Sequence, residues 1–573
     1  MAVSSSKHDT THLHGIVDMG SNGIRFSIST LQPPTSRIMP TLYQHRAAIS
    51  LYDAQYSASG TRQAIPDEII KAVCTAFQDF QRTCHDFEVQ STNITVLATE
   101  ATRTALNSED FRSRIKHAVG WDVTLLPKEE EGRIGALGVA SSLPSVSGLV
   151  MDLGGGSTQL SWLIKNSDGA EIRMPEGGAV SMPYGAAAMS RRLAEAQRDG
   201  KVQELRQEVK DAVRAAYASL NVPAELKKVA KRDGGFTLYL SGGGFRGWGY
   251  VLMSQHRVQP YPVSVINGFS ASRSAFLDTG AIQSAAVASL EDSDSASIFR
   301  VSERRAGQVP AVAFLVNALA ETLPEIKEVR FCQGGVREGY LFTKLPAEIR
   351  SQHPLVVATE PFDLANTSGA IRRLLLSALP PRLEHGSQDM YLEVFTPDLL
   401  EAFANLIYFH SSHSKDLQSS SALRSTTSGI LAGVHGVLHE NRALLALLLC
   451  QRWGGSVPPT DDRFKSALED VLGQPWTLWW INYLGSVAAL IAGVFPAGVT
   501  EKNAQRLSLR AAWVEGKKDK EVYLQAAFGG GVSSDGFADY VHGIEKVGKR
   551  KRWVGGRDGV GYKVAVTVSS GRV

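Results

Sequence analysis

The sequence predicts an α/β protein built from a duplicated α/β unit, followed by a helical C-terminal domain with a small terminal β part. Three observations predict it. A strand–glycine turn–strand pattern occurs twice, at 15–29 (GIVDMGSNGIRFSIS) and 149–164 (LVMDLGGGSTQLSWLI). Around both copies, short strand patterns alternate with helical apolar spacing up to residue 345. Beyond 345 the spacing is helical and rich in Leu and Ala, and strand patterns return after 500. The predicted organisation is a disordered tail over 1–13, α/β domains over 14–147 and 148–345, a helical domain over 346–500 and a β-rich part over 501–573.

Composition narrows the class. A chain of 573 residues can hold several domains with their own cores. Hydrophobic residues at 43% and charged residues at 20% are ordinary for a globular protein. A net charge of +3 provides no broad field for nucleic acid. Cys74, Cys84, Cys332 and Cys450 lack metal-ligand spacing, which predicts reduced, buried thiols in the cytoplasm. The N-terminal MAVSSSKHDTTHLH has no apolar core of a secretory signal. The uncharged stretch 471–499 is long enough to span a bilayer. Asn482, Gly485 and Ser486 interrupt it and no dense basic cluster borders it, so a buried helical segment is expected rather than a membrane span.

In the first copy of the repeat, Ile16 and Val17 lead into Asp18, and Gly20, Ser21, Asn22 and Gly23 make the turn. Ile24, Phe26 and Ile28 then alternate with Arg25, Ser27 and Ser29. In the second, an apolar run delivers Asp152, and Gly154, Gly155, Gly156, Ser157 and Thr158 precede Gln159. Asp18, Gly20 and Arg25 stand at the offsets of Asp152, Gly154 and Gln159. Glycines free the backbone to turn and to present bare N–H groups, and a carboxylate beside such donors suits phosphate with a divalent cation. Two facing hairpins would clamp a phosphate chain, with Asp18 and Asp152 converging on one metal.

The intervening elements follow in order. Apolar residues at helical spacing predict a helix over 66–87. A strand at 94–98 leads to Arg103, whose guanidinium can fork two phosphate oxygens or serve as a surface ion-pair partner. A strand at 123–126 precedes Glu129, Glu130 and Glu131, which favour a helix start. A long amphipathic helical region covers 184–220. Strands at 236–240 and 329–332 run into Gly242, Gly243, Gly244 and into Gly334, Gly335. Four strands ending in glycine clusters point to a nucleotide or polyphosphate cleft at strand ends. The Ser-rich stretch at 419–421 marks a loop or helix entry. His435 and His439, four apart on a predicted helix, lack an HExxH pattern and are read as a non-metal pair. Strands are predicted at 507–514, 521–527 and 562–568, and the basic run 546–552 as a solvated hairpin.

With these motifs assembled, the chain resembles the Ppx/GppA exopolyphosphatase and guanosine pentaphosphate phosphatase family. VDMGSNGIR, ATEATRTALN, EEEGR, MDLGGGSTQ, LSGGGFR and GGVREG stand in that family's order over 14–345. The resemblance implies two actin-like (ASKHA, ribonuclease H-like) domains. It implies a Mg²⁺ near Asp18 and Asp152, and phosphate contacts from Gly20, Ser21, Asn22, Arg25, Arg103 and Gly154 to Thr158, with Gln159 and Gly242 to Gly244 completing the site. Among the three glutamates it singles out Glu131 as the activator of the attacking water. Two departures stand out. Gln159 occupies a place where the family usually has glutamate, and an amide cannot act as a base. Cys450 and Gln451 stand where longer members carry the His–Asp pair of a helical metal domain.

The stretch SERRAGQVPAVAFLV and the C-terminal region narrow the likeness to regulatory members that signal from mitochondria to nucleus. The expected function is a cytoplasmic, phosphate- or nucleotide-binding regulator with weak or absent phosphohydrolase activity, acting through a protein partner. Its expected ligand is polyphosphate, ATP or a guanosine pentaphosphate-like compound. Neither nucleic acid nor membrane is an expected partner, and a homodimer is admitted. The alternative is an active exopolyphosphatase or nucleotide phosphohydrolase using water activated by Glu131 and Mg²⁺.

Overall fold

Each copy of the repeat forms an antiparallel hairpin at the middle of its own sheet. The computed structural model describes residues 9–57, 61–166, 171–291, 298–363, 366–381, 391–516 and 520–570. The chain divides into two compact units, 1–256 with 265–354, and 257–264 with 355–573.

The first unit holds two sheets. One contains β1 (Leu13–Gly20), β2 (Gly23–Thr30), β3 (Thr41–Ala47), β4 (Ile94–Ala98) and β5 (Val123–Leu125), in the order β3-β2-β1-β4-β5. The hairpin pairs are antiparallel, and β1, β4 and β5 run parallel. The other contains β6 (Val146–Leu153), β7 (Thr158–Lys165), β8 (Ile172–Arg173), β9 (Val180–Met182), β10 (Phe236–Ser241), β11 (Ser270–Ser272) and β12 (Ile326–Phe331). Its path is β11-β12-β10-β6-β7-β8, with β9 on β7. Again the hairpin β6–β7 and its neighbour β8 are antiparallel, while β6, β10 and β12 run parallel. The two sheets thus repeat one topology, the actin-like duplication, with β11 and β9 added to the second.

Local sequence explains these elements. Helix Asp67–Asp86 starts after Pro66 with acidic Asp67 and Glu68 in its first turn, where the dipole favours negative charge. Its Ile70, Val73, Phe77, Phe80 and Cys84 form one buried stripe packed on Val17, Phe26 and Ile28 of the hairpin. The predicted helix over 184–220 is two helices, Ala186–Arg198 and Val202–Ser219, broken at Gly200 with φ +68°.

Several expectations change in three dimensions. Residues 1–8 of the predicted tail lie outside the described residues, while Asp9 caps a short turn at Thr10–His12 and Leu13 already belongs to β1. Gly242 to Gly244 form the first turn of helix Gly242–Ser254 rather than a loop. Gly334 and Gly335 serve packing: a Cβ at Gly334 would strike Gly138, and one at Gly339 would strike the Ile134 carbonyl. Helices Lys128–Ser141 and Val336–Lys344 therefore meet backbone to backbone.

The second unit is mainly helical and ends in a sheet of β13 (Leu507–Glu515), β14 (Lys520–Phe528) and β15 (Val564–Ser570). Its core helix is Pro475–Val494, with Trp479, Trp480, Tyr483, Val487 and Ile491 fully or almost fully buried. By length and composition this helix could cross a membrane, but 72% of its most apolar window is buried inside the protein. Trp480 packs against Trp513 of β13, and Trp479 against Tyr562, so helices and strands share one core. The stretch at 419–421 lies within helix Lys415–Arg424. His439 opens helix His439–Arg452 and His435 lies in the turn before it, so the pair does not share a helix. The basic run 546–552 is the end of helix Ala538–Val547 and a 3₁₀ turn at Arg550–Arg552, not a hairpin. All four cysteines are free, with Cys84, Cys332 and Cys450 buried.

Candidate functional site

The hairpin registers place equivalent residues at equivalent points. Asp18 pairs with Arg25 across β1–β2, and Asp152 pairs with Gln159 across β6–β7. Both turns point into one cleft of the first unit. The glycines make this approach possible, since a Cβ at Gly155 would lie 2.7 Å from the Asn22 side chain.

Both aspartates stand near the ends of their strands. Asp18 is 5% exposed, and an Arg25 guanidinium nitrogen lies 3.5 Å from its Oδ2. Burial raises its carboxyl above the usual range, against the pull of Arg25 and Arg337. Asp152, at the end of β6, accepts a 2.5 Å hydrogen bond from the Ser241 hydroxyl. Burial raises it too; Ser241 and Arg25 oppose this, and the charge of Asp18 adds to it.

Glu131 stands in the first turn of helix Lys128–Ser141. Arg103, at the end of the short helix Glu100–Arg103, donates to its Oε2 at 3.1 Å and also to the Leu126 carbonyl. Burial pushes Glu131 up to about 7, Arg103 opposes the shift, and the charges of Glu100 and Asp152 add to it. Glu131, Asp152 and Gln159 line one cavity of about 40 Å³, enough for an ordered water. Gln159 is 8% exposed and its amide donates to the Ser157 hydroxyl at 3.0 Å.

The second loop is gripped by its carbonyls. Those of Gly154, Gly155 and Gly156 accept from the N–H groups of Ala186, Ala187 and Gly185 at 2.9–3.0 Å. The Gly154 N–H is used on the Ser157 carbonyl, and the Thr158 hydroxyl donates to the Tyr184 carbonyl. A peptide N–H points away from its C=O, so a loop held by its carbonyls presents the remaining amides on the opposite side. In the first loop, the Ser21 carbonyl accepts from the Tyr52 N–H at 2.9 Å. The Asn22 carbonyl accepts from Arg46 at 2.6 Å, and its side-chain oxygen from Arg304 at 2.8 Å. Gly20 closes the turn opposite Gly23. Gly243 and Gly244 are held differently from the loop glycines, by the helix they start, and a Cβ at Gly244 would meet Leu153.

The sequence reading missed a set of arginines. Arg46, Arg246 and Arg305 crowd around Arg25. Burial lowers all three below the usual guanidinium value, Arg305 to about 10, and mutual repulsion adds to the shift. Arg246 and Arg337 stand one residue beyond glycine clusters, in LSGGGFR and GGVREG, which was the available signal. Arg304 and Arg305 come from SERRAG, whose sequence carries no local sign of a site. Glu100, Ser241 and Glu338 also enter the cleft's electrostatics or hydrogen bonding.

Two family models match this chain. The Ppx/GppA phosphatase family matches residues 32–348, and the RTG2 C-terminal domain matches residues 353–571. The chain belongs to the Ppx/GppA phosphatase family, and its second unit carries the RTG2-type C-terminal domain. It is 39% identical over 501 residues to the Retrograde regulation protein 2 of Saccharomyces cerevisiae, covering 86% of this chain and 82% of that protein. A shorter match, 39% over 74 residues, is to the Guanosine-5'-triphosphate,3'-diphosphate pyrophosphatase of Photobacterium profundum, covering 13% of this chain and 15% of that one. Among solved structures, the Ppx/GppA family member of Aquifex aeolicus aligns with a TM-score of 0.43 at 21% identity, over 58% of this chain and 97% of that one. An exopolyphosphatase from Cytophaga hutchinsonii aligns at 0.42 and 19%, over 58% and 99%.

Proposed function

We propose that this chain is a regulator of the retrograde type, signalling from mitochondria to nucleus, whose cleft binds a phosphate chain with Mg²⁺ and hydrolyses it slowly. The observation that carries the ligand class is the juxtaposition of Asp18 and Asp152 with Arg25, Arg246 and Arg305. Crowded, part-buried guanidiniums repel one another, and a polyanion relieves that repulsion. Two carboxylates drawn from water, with the charge of Asp18 raising the cost of charging Asp152, are suited to a shared cation. Among the described residues no group of three or more His, Cys, Asp or Glu side chains could hold a metal ion by itself. That donor set fits Mg²⁺, which keeps its waters and takes phosphate oxygens beside one or two carboxylates. When bound, the ion would neutralise charge on the phosphate chain. Asp18 and Asp152 would hold it, Arg25 and Arg103 would orient phosphoryl oxygens, and Glu131 would accept the proton of an attacking water.

Gln159 is why slow turnover is the reading. It lines the cavity beside Glu131 and Asp152 as a neutral amide, so the second loop adds no charge to orient water or cation there. The name of the Saccharomyces cerevisiae relative, Retrograde regulation protein 2, supports a regulatory role. A cytosolic protein partner reading the cleft's state is part of the proposal. Binding of tripolyphosphate, guanosine pentaphosphate and ATP, each with and without Mg²⁺ and beside phosphate release, tests it. Mg²⁺-dependent binding with turnover far below the ~10 s⁻¹ typical of enzymes is expected. Turnover near that figure would replace the regulator with the hydrolase.

A further inference from the structure

Glu100 enters the cleft's electrostatics through Glu131, and its placement gives it a further task. It opens the short helix Glu100–Arg103 just after β4, the strand that pairs with β1. Its Oε2 is buried and has no hydrogen-bond partner within the protein. The carboxylate lies so close to the second loop that a Cβ on Gly156 would run into it, and Tyr52 flanks the same spot. Its charge reaches Glu131 and raises that carboxyl. Buried carboxylate oxygens left without a partner are costly. Here the cost is retained where the segment after β4 meets the Gly154–Thr158 loop of the second sheet.

We propose that Glu100 is a positioning residue of the cleft. It accepts hydrogen bonds from the water shell of the Mg²⁺ that accompanies a bound phosphate chain. Three observations support this over a purely structural role. The oxygen is unpartnered, whereas Arg103 on the same helix is engaged by Glu131 and the Leu126 carbonyl. A Cβ on Gly156 would strike this oxygen, so loop and acid stand in close approach. The second loop itself contributes only Asp152 as a charge, because Gln159 is an amide bonded to Ser157. Glu100 returns a carboxylate to that loop from the other sheet, beside Gly156, where it would act through water on an ion held by Asp18 and Asp152.

The inference rests on the cleft reading above, and the experiment separates the two. Calorimetric titration of tripolyphosphate, with and without Mg²⁺, is run on the full chain and on Glu100→Gln, Glu100→Ala and Asp152→Asn. Thermal unfolding of each variant confirms folding, and the near-isosteric Glu100→Gln carries the result if the alanine variant does not fold. Expected for Glu100→Gln is a loss of about tenfold in Mg²⁺-dependent affinity, of the size outer-shell partners contribute, with metal-free tripolyphosphate binding unchanged or tighter. Equal affinity with Mg²⁺ in the wild type and Glu100→Gln would overturn the proposal. So would equal tightening with and without the ion, which would make Glu100 a mere repulsive charge. If the wild type itself binds tripolyphosphate without regard to Mg²⁺ and Asp152→Asn changes nothing, the cleft reading falls and Glu100 with it.

Discussion

At the scale of single residues, the site is decided by the difference between Arg25 and Gln159, which occupy the same register point in two copies of one hairpin. Arg25 faces both aspartates, while Gln159 turns to Ser157 and the cavity beside Glu131. A carboxylate in place of that amide would add charge where water and cation are oriented. Gln159→Glu is therefore expected to raise phosphate release, by up to ~10²-fold if it restores a general acid–base or water-orienting group. Glu131→Ala should abolish residual release while tripolyphosphate stays bound, because binding draws on Arg25, Arg103 and the loop amides. A malachite-green assay beside equilibrium dialysis reads both outcomes. Asp152→Ala should lower Mg²⁺-dependent binding by at least about tenfold without unfolding the chain. Wild-type affinity in that variant would remove the two-loop clamp.

Single elements are held by close backbone approach and by buried neutral groups. Helices Lys128–Ser141 and Val336–Lys344 touch through Gly138, Gly334 and Gly339. Gly339→Ala drives a methyl into the Ile134 carbonyl, so a loss of about 1–3 kcal/mol is expected from overpacking, read as a lowered denaturation midpoint. Because Glu131 sits on one of these helices, the same variant should also weaken residual hydrolysis. In the second unit, His410 is 2% exposed, and a Ser425 hydroxyl lies 2.9 Å from its Nε2. Burial, with repulsion from His413 and Arg452, lowers it from 6.5 to about 4. The folded protein therefore keeps it neutral where the unfolded chain takes up a proton. Its stabilising effect is full above about 6.5 and is lost as pH falls toward about 4, a change of about 3 kcal/mol at most. Tryptophan-monitored unfolding of the wild type and His410→Gln across that window should show the dependence flattened in the variant.

For the whole molecule, the question is how the architecture of a phosphatase family serves a regulator. The first unit keeps the duplicated sheets, both aspartates, Glu131 and the arginine cluster. The second unit has Cys450 and Gln451 buried or half-buried on helix His439–Arg452, with no metal-capable cluster among the described residues. Its most apolar helix is consumed by its own core of Trp479, Trp480 and Tyr483. The full-length chain is therefore expected in the supernatant after carbonate extraction of cell membranes. Retention in the pellet would mean that Pro475–Val494 leaves that core.

The sequence by itself determined what local chemistry can determine. The repeat at Asp18 and Asp152, the strand and helix periods, and the buried character of 471–499 follow from alternation, spacing and glycine placement. Shared motifs made the family and the actin-like duplication legible. Tertiary structure alone decided which glycines line the cleft and which join two helices: Gly155 admits Asn22, whereas Gly334 admits Gly138, and both read alike as strand-end glycines. It decided that Arg46, Arg246 and Arg305 converge, although they come from three distant segments, since charge crowding depends on distances the chain order does not encode. It also decided that Glu100 faces Gly156 across the cleft with an unpartnered oxygen. One residue along a strand turns a side chain to the other face, and a pairing between two sheets is fixed only when both have folded.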